Sequence, residues 1–235
     1  MSRESSVSVV SPGGRIAGEL RVPGDKSISH RAALLGAIAD GTTEIRGFLE
    51  SEDCLATLSA LSEMGVRIER HGPGELRIHG VGLRGLREPR AALDLGNSGT
   101  AMRLLTGILA GQAFNSTLVG DASLMGRPME RVAAPLRRMG ADVRTRGGCA
   151  PILIRGGCSL TGCDHVLDIP SAQVKSALLL AGLYADGRTR VQEPGTSRDH
   201  TERMLESFGV PIETDGGAVI IPGPSALHGG PVSVP

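Results

Sequence analysis

One supersecondary unit is written three times along this chain, and that repeat restricts the possible fold more than any other feature. The first copy reads VPGDKSISHRAALLGAIADGTTEIRG, a helix-forming LATLSALSEMGVRIER and ELRIHG. The second reads LDLGNSGTAMRLLTGILAGQAFNSTLVG, MERVAAPLRRMGADVRT and PILIRG, and the third LDIPSAQVKSALLLAGLYADGRTRVQE, HTERMLESFGVPIET and AVIIPG. Ser27, Ser98 and Ser171 lie 71 and 73 residues apart, and Gly65, Gly140 and Gly209 lie 75 and 69 apart. A unit of that size cannot bury its apolar face alone, so the copies must share a core.

Within a unit the local signals agree. Ala33, Leu34, Ala37 and Ile38 recur at helical spacing on one face. The β-branched run Thr42, Thr43 and Ile45 reads as a strand. The second helix closes at an M-G or F-G pair, where Gly supplies the left-handed cap. A strand then follows (66–68, 141–143 and 210–212), with a short hairpin to the last one. The expected fold is α/β: three βαβαββ units around a pseudo-threefold axis, over about 23–92, 93–165 and 166–230, and not a Rossmann sheet. Residues 5–22 read as a strand without a counterpart in the repeats. The closing GGPVSVP echoes the ELRVPG before the first unit, as though at 231–235 a fourth copy began.

Composition excludes several functions. Lys plus Arg and Asp plus Glu are both 25, which gives no net attraction toward nucleic acid or an anionic membrane. With no Trp and the single Tyr184, base-stacking platforms are absent, so neither nucleic acid nor membrane is an expected partner. No secretion signal and no long apolar run appear, and a cytoplasmic location is expected. Cys54, Cys149, Cys158 and Cys163 form no CxxC pair and have no His at zinc spacing, so they read as structural thiols, with no metal site.

Each unit opens its first helix with a small polar cluster: Asp25-Lys26-Ser27, Gly96-Asn97-Ser98-Gly99-Thr100 and Pro170-Ser171-Ala172-Gln173. Taken singly, such residues cap helices. Three helix N-termini converging near an axis would present unpaired N–H groups and partial positive charge to an anion. Lys26, Arg31 and Arg127, in GDASLMGRPM, add the cations that tight binding needs, and Arg suits bidentate capture of carboxylate or phosphate. A small, multiply anionic ligand fits better than a polymer. His30 offers a general base but equally supports the loop before it. His200 reads as a capping or supporting residue and Asp25 as the fastener of the PGDKS turn. No Ser-His-Asp set or carboxylate pair stands out, so the residues give a binding surface without an acid–base pair.

The segments GDKSISHRAALLGAIADG, LGNSGTAMRLL, GDASLMGRPM and SAQVKSALLLAGL followed by SRDHTERML resemble, in this order, the 5-enolpyruvylshikimate-3-phosphate (EPSP) synthase family in its bacterial form, over about residues 8–235. The resemblance implies an inside-out α/β barrel domain of three repeats, one of two such domains that close on substrate. It implies transfer of the enolpyruvyl group of phosphoenolpyruvate to the 5-hydroxyl of shikimate-3-phosphate, in chorismate and aromatic amino acid biosynthesis, without metal or organic cofactor, by an enzyme that is usually monomeric.

Carried onto matching positions, Lys26 would contact phosphoenolpyruvate, and Ser27 and Arg31 would hold the shikimate ring and its carboxylate. Gly99 would lie against phosphoenolpyruvate, where a side chain would crowd glyphosate, and Arg127 would bind the phosphoenolpyruvate phosphate. Ser171, Ala172 and Gln173 would line the shikimate-3-phosphate site, with Ser197 and Arg198 near its 3-phosphate. Two departures stand out. Many relatives have Ser in place of Ala172, and others carry a Tyr where this chain has Arg198-Asp199-His200.

The family's acid–base carboxylates and catalytic Lys fall beyond Pro235, so no catalytic residue is expected in this chain, only substrate binding without turnover. Residues 1–22 would pair with the second domain and 231–235 would begin the crossover to it. A related transferase acting on UDP-N-acetylglucosamine carries a Lys-Asn pair and a reactive loop Cys. Here the pair is Lys26-Ser27, and the loop around Arg127 has no Cys. A noncatalytic binding module on the same scaffold would not need Lys26, Arg31, Arg127 and Gln173 together.

Overall fold

The computed structural model describes residues 8–15, 17–20 and 22–235, in which each repeat folds as a four-stranded sheet with its helices packed on it. The first contributes α1 (Lys26–Ile38), β1 (Thr42–Arg46), α2 (Glu52–Glu63), β2 (Arg67–Gly72) and β3 (Glu75–His79). The second contributes β4 (Leu93–Asp94), α3 (Gly99–Ala110), β5 (Ser116–Val119), a short α4 (Ala122–Met125), α5 (Glu130–Arg138), β6 (Asp142–Arg146) and β7 (Cys149–Arg155). The third contributes β8 (Asp164–Val166), α6 (Ala172–Gly182), β9 (Gly187–Gln192), α7 (His200–Ser207), β10 (Glu213–Asp215) and β11 (Ala218–Gly223), and β12 (Pro231–Ser233) ends the chain's regular structure.

All three sheets have one topology. The orders β4-β5-β7-β6 and β8-β9-β11-β10 each begin with a parallel pair and continue antiparallel. In the first sheet, β12-β1-β3-β2, the place of β4 and β8 is taken by β12, parallel to β1 in the register Glu44↔Pro231 to Arg46↔Ser233. The stretch expected to open a fourth copy therefore completes the first, because the edge of β1 holds unpaired N–H and C=O groups that β12 saturates. The Val234 N–H donates to the Arg46 carbonyl at 2.8 Å, and the Asp25 N–H to the Pro235 carbonyl at 3.0 Å.

The strand expected over 5–22 does not form among the described residues. Residues 5–7, 16 and 21 of that expectation lie outside them, and Val9, Val10 and Leu20 stand at 86 to 91% exposure. β-branched residues alone do not make a strand; a neighbouring edge must be free to bond, and here none lies alongside.

α1, α3 and α6 are buried nearly all round, as helices in a protein's interior are. α3 lies against α6, and the approach depends on Gly107: a Cβ there would overlap the Ala177 carbonyl oxygen and stand 2.9 Å from its carbon. The N-caps of the three helices are Asp25, Ser98 and Ser171, a spacing of 73 residues at each step, and each side chain accepts the N–H three residues on. The true equivalent of Ser98 and Ser171 is thus Asp25, not Ser27, since either oxygen type caps a helix equally well. Gly65, Gly140 and Gly209 close the second helices at φ of +88°, +98° and +87°, as the M-G and F-G pairs foretell.

The four cysteines are free thiols, and burial pushes those of Cys54 and Cys163 up, away from reactivity. Among the described residues no helix is long and apolar enough to cross a membrane.

Candidate functional site

Capping places the first turns of α1, α3 and α6 at the same end of the helix cluster, and a cavity of about 220 Å³ opens among them. α1 supplies Asp25, Lys26, Ser27 and Arg31, α3 supplies Thr100, α6 supplies Ala172 and Gln173, and the loop before α7 supplies Arg198. Three cations against one carboxylate make a local positive field in a chain of no net charge.

Arg31 is the centre of this arrangement. The residue is 2% exposed, and its guanidinium donates from Nε to Thr201 Oγ1 at 2.6 Å, from Nη1 to the Ser27 carbonyl and hydroxyl at 3.0 and 2.6 Å, and from Nη2 to Ser176 Oγ at 2.7 Å. Every contacting partner is neutral. Burial lowers its pKa to about 10, with Glu202 and Asp25 opposing from a distance, so it remains cationic at neutral pH. A buried cation touched only by dipoles favours an anion beside it. Lys26 pairs with Asp53 at 2.9 Å, but its side chain is 53% exposed and free to turn toward a ligand.

His200 Nδ1 lies 3.1 Å from Ser27 Oγ and supports it, as read from the sequence. His30 is fully buried, with Nδ1 2.8 Å from Thr57 Oγ1 and Nε2 3.5 Å from Ser98 Oγ. Burial lowers its pKa to about 4. It is a neutral strut between α1, α2 and the α3 cap, not a base facing the cavity.

A second group adjoins the first. The Arg127 guanidinium is held by Asn97 Oδ1 and lies 3.4 Å from Ser123 Oγ, while Asn97 donates to Asp121 at 2.7 Å. A Cβ on Gly99 would meet Arg127 Nη1 and Arg103 Nη1 at 3.0 Å each, so the bare glycine keeps both guanidiniums close to the α3 N-terminus. Arg103 donates to Gln173 Oε1 at 2.7 Å, and Gln173 Nε2 to Thr100 Oγ1 at 2.9 Å, tying α3 to α6 between the two groups.

Lys26, Ser27, Arg31, Ala172, Gln173 and Arg198 therefore share one cavity, and Gly99 and Arg127 stand together beside it. Ser171 caps α6 and lines the neighbouring larger cavity, and the Ser197 hydroxyl is turned to Glu193 at 2.5 Å. The sequence reading placed Thr100 in the polar cluster that opens α3 but missed Arg103. The available signal was a lone Arg one turn after Gly99 in an otherwise apolar helix, on the same face as the cap.

A larger cavity, of about 600 Å³, lies between α5 and the segment before α6, lined by Ala134, Pro135, Val166, Leu167, Ile169 and Val174 together with Arg131, Arg138, Asp168 and Ser171. Its wall is mostly apolar, and no polar groups converge in it as they do on Arg31.

The sequence matches a family model described as EPSP synthase (3-phosphoshikimate 1-carboxyvinyltransferase) over residues 10–235. The 3-phosphoshikimate 1-carboxyvinyltransferase of Methylococcus capsulatus is 58% identical over 236 residues, covering 100% of this chain and 54% of that protein. The enzyme of that name from Nitrosococcus oceani is 56% identical over 236 residues and is covered to 53%. A solved structure of EPSP synthase from Acinetobacter baumannii superposes with a TM-score of 0.90 at 55% identity, over 93% of this chain and 49% of that one. The chain spans about half the length of the curated relatives it matches.

Proposed function

This chain belongs to the EPSP synthase family, and on that premise we propose that it is the shikimate-3-phosphate-binding half of an enzyme that moves the enolpyruvyl group of phosphoenolpyruvate to the 5-hydroxyl of shikimate-3-phosphate. The observation that carries this reading is the buried Arg31 guanidinium, contacted only by neutral groups, at a cavity among three helix N-termini.

A shikimate-3-phosphate molecule has a carboxylate at one end and a phosphate at the other. The carboxylate suits Ser27 and Arg31. The phosphate suits Arg198, the Ser171 hydroxyl and the free N–H groups opening α6, which makes the side chain at Ala172 dispensable, because only its backbone donor is used. Ring hydroxyls suit the Gln173 amide. Lys26 and Arg127 then lie where a second anion, phosphoenolpyruvate, would meet the 5-hydroxyl.

The one carboxylate in the cavity, Asp25, is occupied by the Ile28 N–H at 2.8 Å. Proton transfer is therefore assigned to the part of the relatives that this chain does not span.

Calorimetric titration of shikimate-3-phosphate into the folded chain tests the reading. Binding is expected, with a loss of about 10- to 100-fold for Arg31→Ala, the worth of a charge-assisted bond. Arg198→Ala, at an exposed position, should weaken binding without touching the fold. Absence of heat from a folded chain would refute a preformed half-site, and phosphate release from the two substrates by this chain alone would refute the division of labour.

Gly99→Ala should leave the melting temperature within about 2 °C, because the clashing atoms are the ends of flexible side chains; at most a few tenths of a kcal/mol is involved. It should weaken phosphoenolpyruvate binding in the presence of shikimate-3-phosphate. Unchanged phosphoenolpyruvate affinity would show that Arg127 does not serve that anion.

A further inference from the structure

Behind the cavity lies a buried charge cluster that does not line it. Lys175 Nζ stands 2.8 Å from Glu193 Oε2 and 2.7 Å from Glu202 Oε1, with the three side chains 6, 5 and 9% exposed. Glu193, the first residue after β9, gathers two further donors: the Ser171 N–H at 2.6 Å on Oε1 and the Ser197 hydroxyl at 2.5 Å on Oε2. Burial opposes the charge on Glu193, but the bonds from Lys175, Ser197 and Ser171 outweigh it and lower its pKa.

The cluster is wired to the cavity by sequence neighbours. Lys175 precedes Ser176 and Glu202 follows Thr201, and Ser176 and Thr201 are the two residues that hold the buried side of the Arg31 guanidinium. Ser176 and Thr201 also bond each other at 2.6 Å. At the other end, Gly195 lies against Pro170, a Cβ on the glycine falling 3.3 Å from Pro170 Cγ. One carboxylate thus ties the loop bearing Arg198 to the capped start of α6, which is where the proposed ligand's phosphate would sit.

We propose that Glu193 is a positioning residue for the phosphate end of the site, acting through Ser197, which tethers the loop bearing Arg198. The geometry supports the tether: the carboxylate accepts the Ser197 hydroxyl at 2.5 Å and the Ser171 N–H at 2.6 Å, so one side chain fixes both the loop and the start of α6. This inference rests on the reading of the cavity as a shikimate-3-phosphate site.

Glu193→Gln is nearly isosteric and leaves Lys175 paired with Glu202, so a folded variant is expected. Its affinity for shikimate-3-phosphate should fall about tenfold, while its affinity for shikimate, which lacks the phosphate, stays within about twofold of the parent chain. Ser197→Ala should show the same split, and the double variant should be no weaker than Glu193→Gln alone, because both changes cut one tether. Equal losses for the two ligands, or additive losses in the double variant, would overturn the proposal. A ligand-free measurement separates it from the reading beneath it: amide hydrogen exchange over 195–199 should quicken in Glu193→Gln while α3 is unchanged. Unchanged exchange there defeats the tether whatever the ligand. Quickened exchange in a chain that binds no shikimate-3-phosphate upholds the tether and defeats the ligand assignment.

Discussion

Gly107→Ala is expected to lower the melting temperature of the chain by about 6 to 12 °C, following from a destabilisation of about 3 kcal/mol in a domain of this size. The added methyl would overlap the carbonyl oxygen of Ala177 and press on its carbon at 2.9 Å and its Cα at 3.0 Å. All of these are backbone atoms in the middle of α6, so no rotamer change relieves the contact and the two central helices must move apart. Ala improves helix propensity over Gly by about 1 kcal/mol, which works against the effect without cancelling it. Gly230→Ala is the control, because a Cβ there meets nothing within 4 Å. A Gly107→Ala chain that melts with the parent would mean that α3 and α6 do not pack as described.

Acid should weaken the fold well before its carboxylates protonate. His30 has its pKa lowered from 6.5 to about 4, chiefly by burial, with Asp53 opposing and the charges of Lys26 and Arg31 assisting. As pH falls below 6.5 the unfolded chain takes up a proton that the folded chain refuses. The His30 contribution is therefore fully present above pH 6.5, is lost progressively between 6.5 and about 4, and changes no further below. The loss from His30 is about 2 kcal/mol by pH 5 and about 3 kcal/mol at its limit. His165, also lowered to about 4 by burial and then by Arg138 2.9 Å away, acts in the same window. Urea midpoints at pH 7 and pH 5 measure the effect. His30→Asn should begin less stable at pH 7 and lose less on acidification. A parent midpoint that is flat across this interval would show that His30 protonates without cost.

The sequence made the three-unit plan legible, because each unit repeats a helical apolar face, a β-branched run and a glycine whose left-handed φ only one residue type adopts easily. It also marked Arg31, Gln173 and Arg198, which stand in polar clusters at helix starts or in a loop. What it hid depends on contacts between distant residues. Ser27 aligned with Ser98 by residue type, whereas Asp25 does the capping. Pro231–Ser233 looked like a beginning and is the missing strand of the first sheet. Residues 5–22 have the composition of a strand, but those of them that are described join no edge. Arg103 was lost inside an apolar helix. Lys175, Glu193 and Glu202 come from three elements, and no spacing along the chain announces that they meet.

The first sheet has a consequence for the order of assembly. Its parallel strand is supplied by residues 231–233, about 185 residues after β1, so the repeat made first on the ribosome cannot be finished until that segment has emerged. Until then the edge of β1 stays open and the start of α1 lacks its bond from Asp25 to Pro235. The second and third repeats have no such dependence, since β4 and β8 precede their partners locally. The second repeat can therefore finish before the third and the third before the first, and the turn that carries Lys26 and Ser27 is fastened only after both.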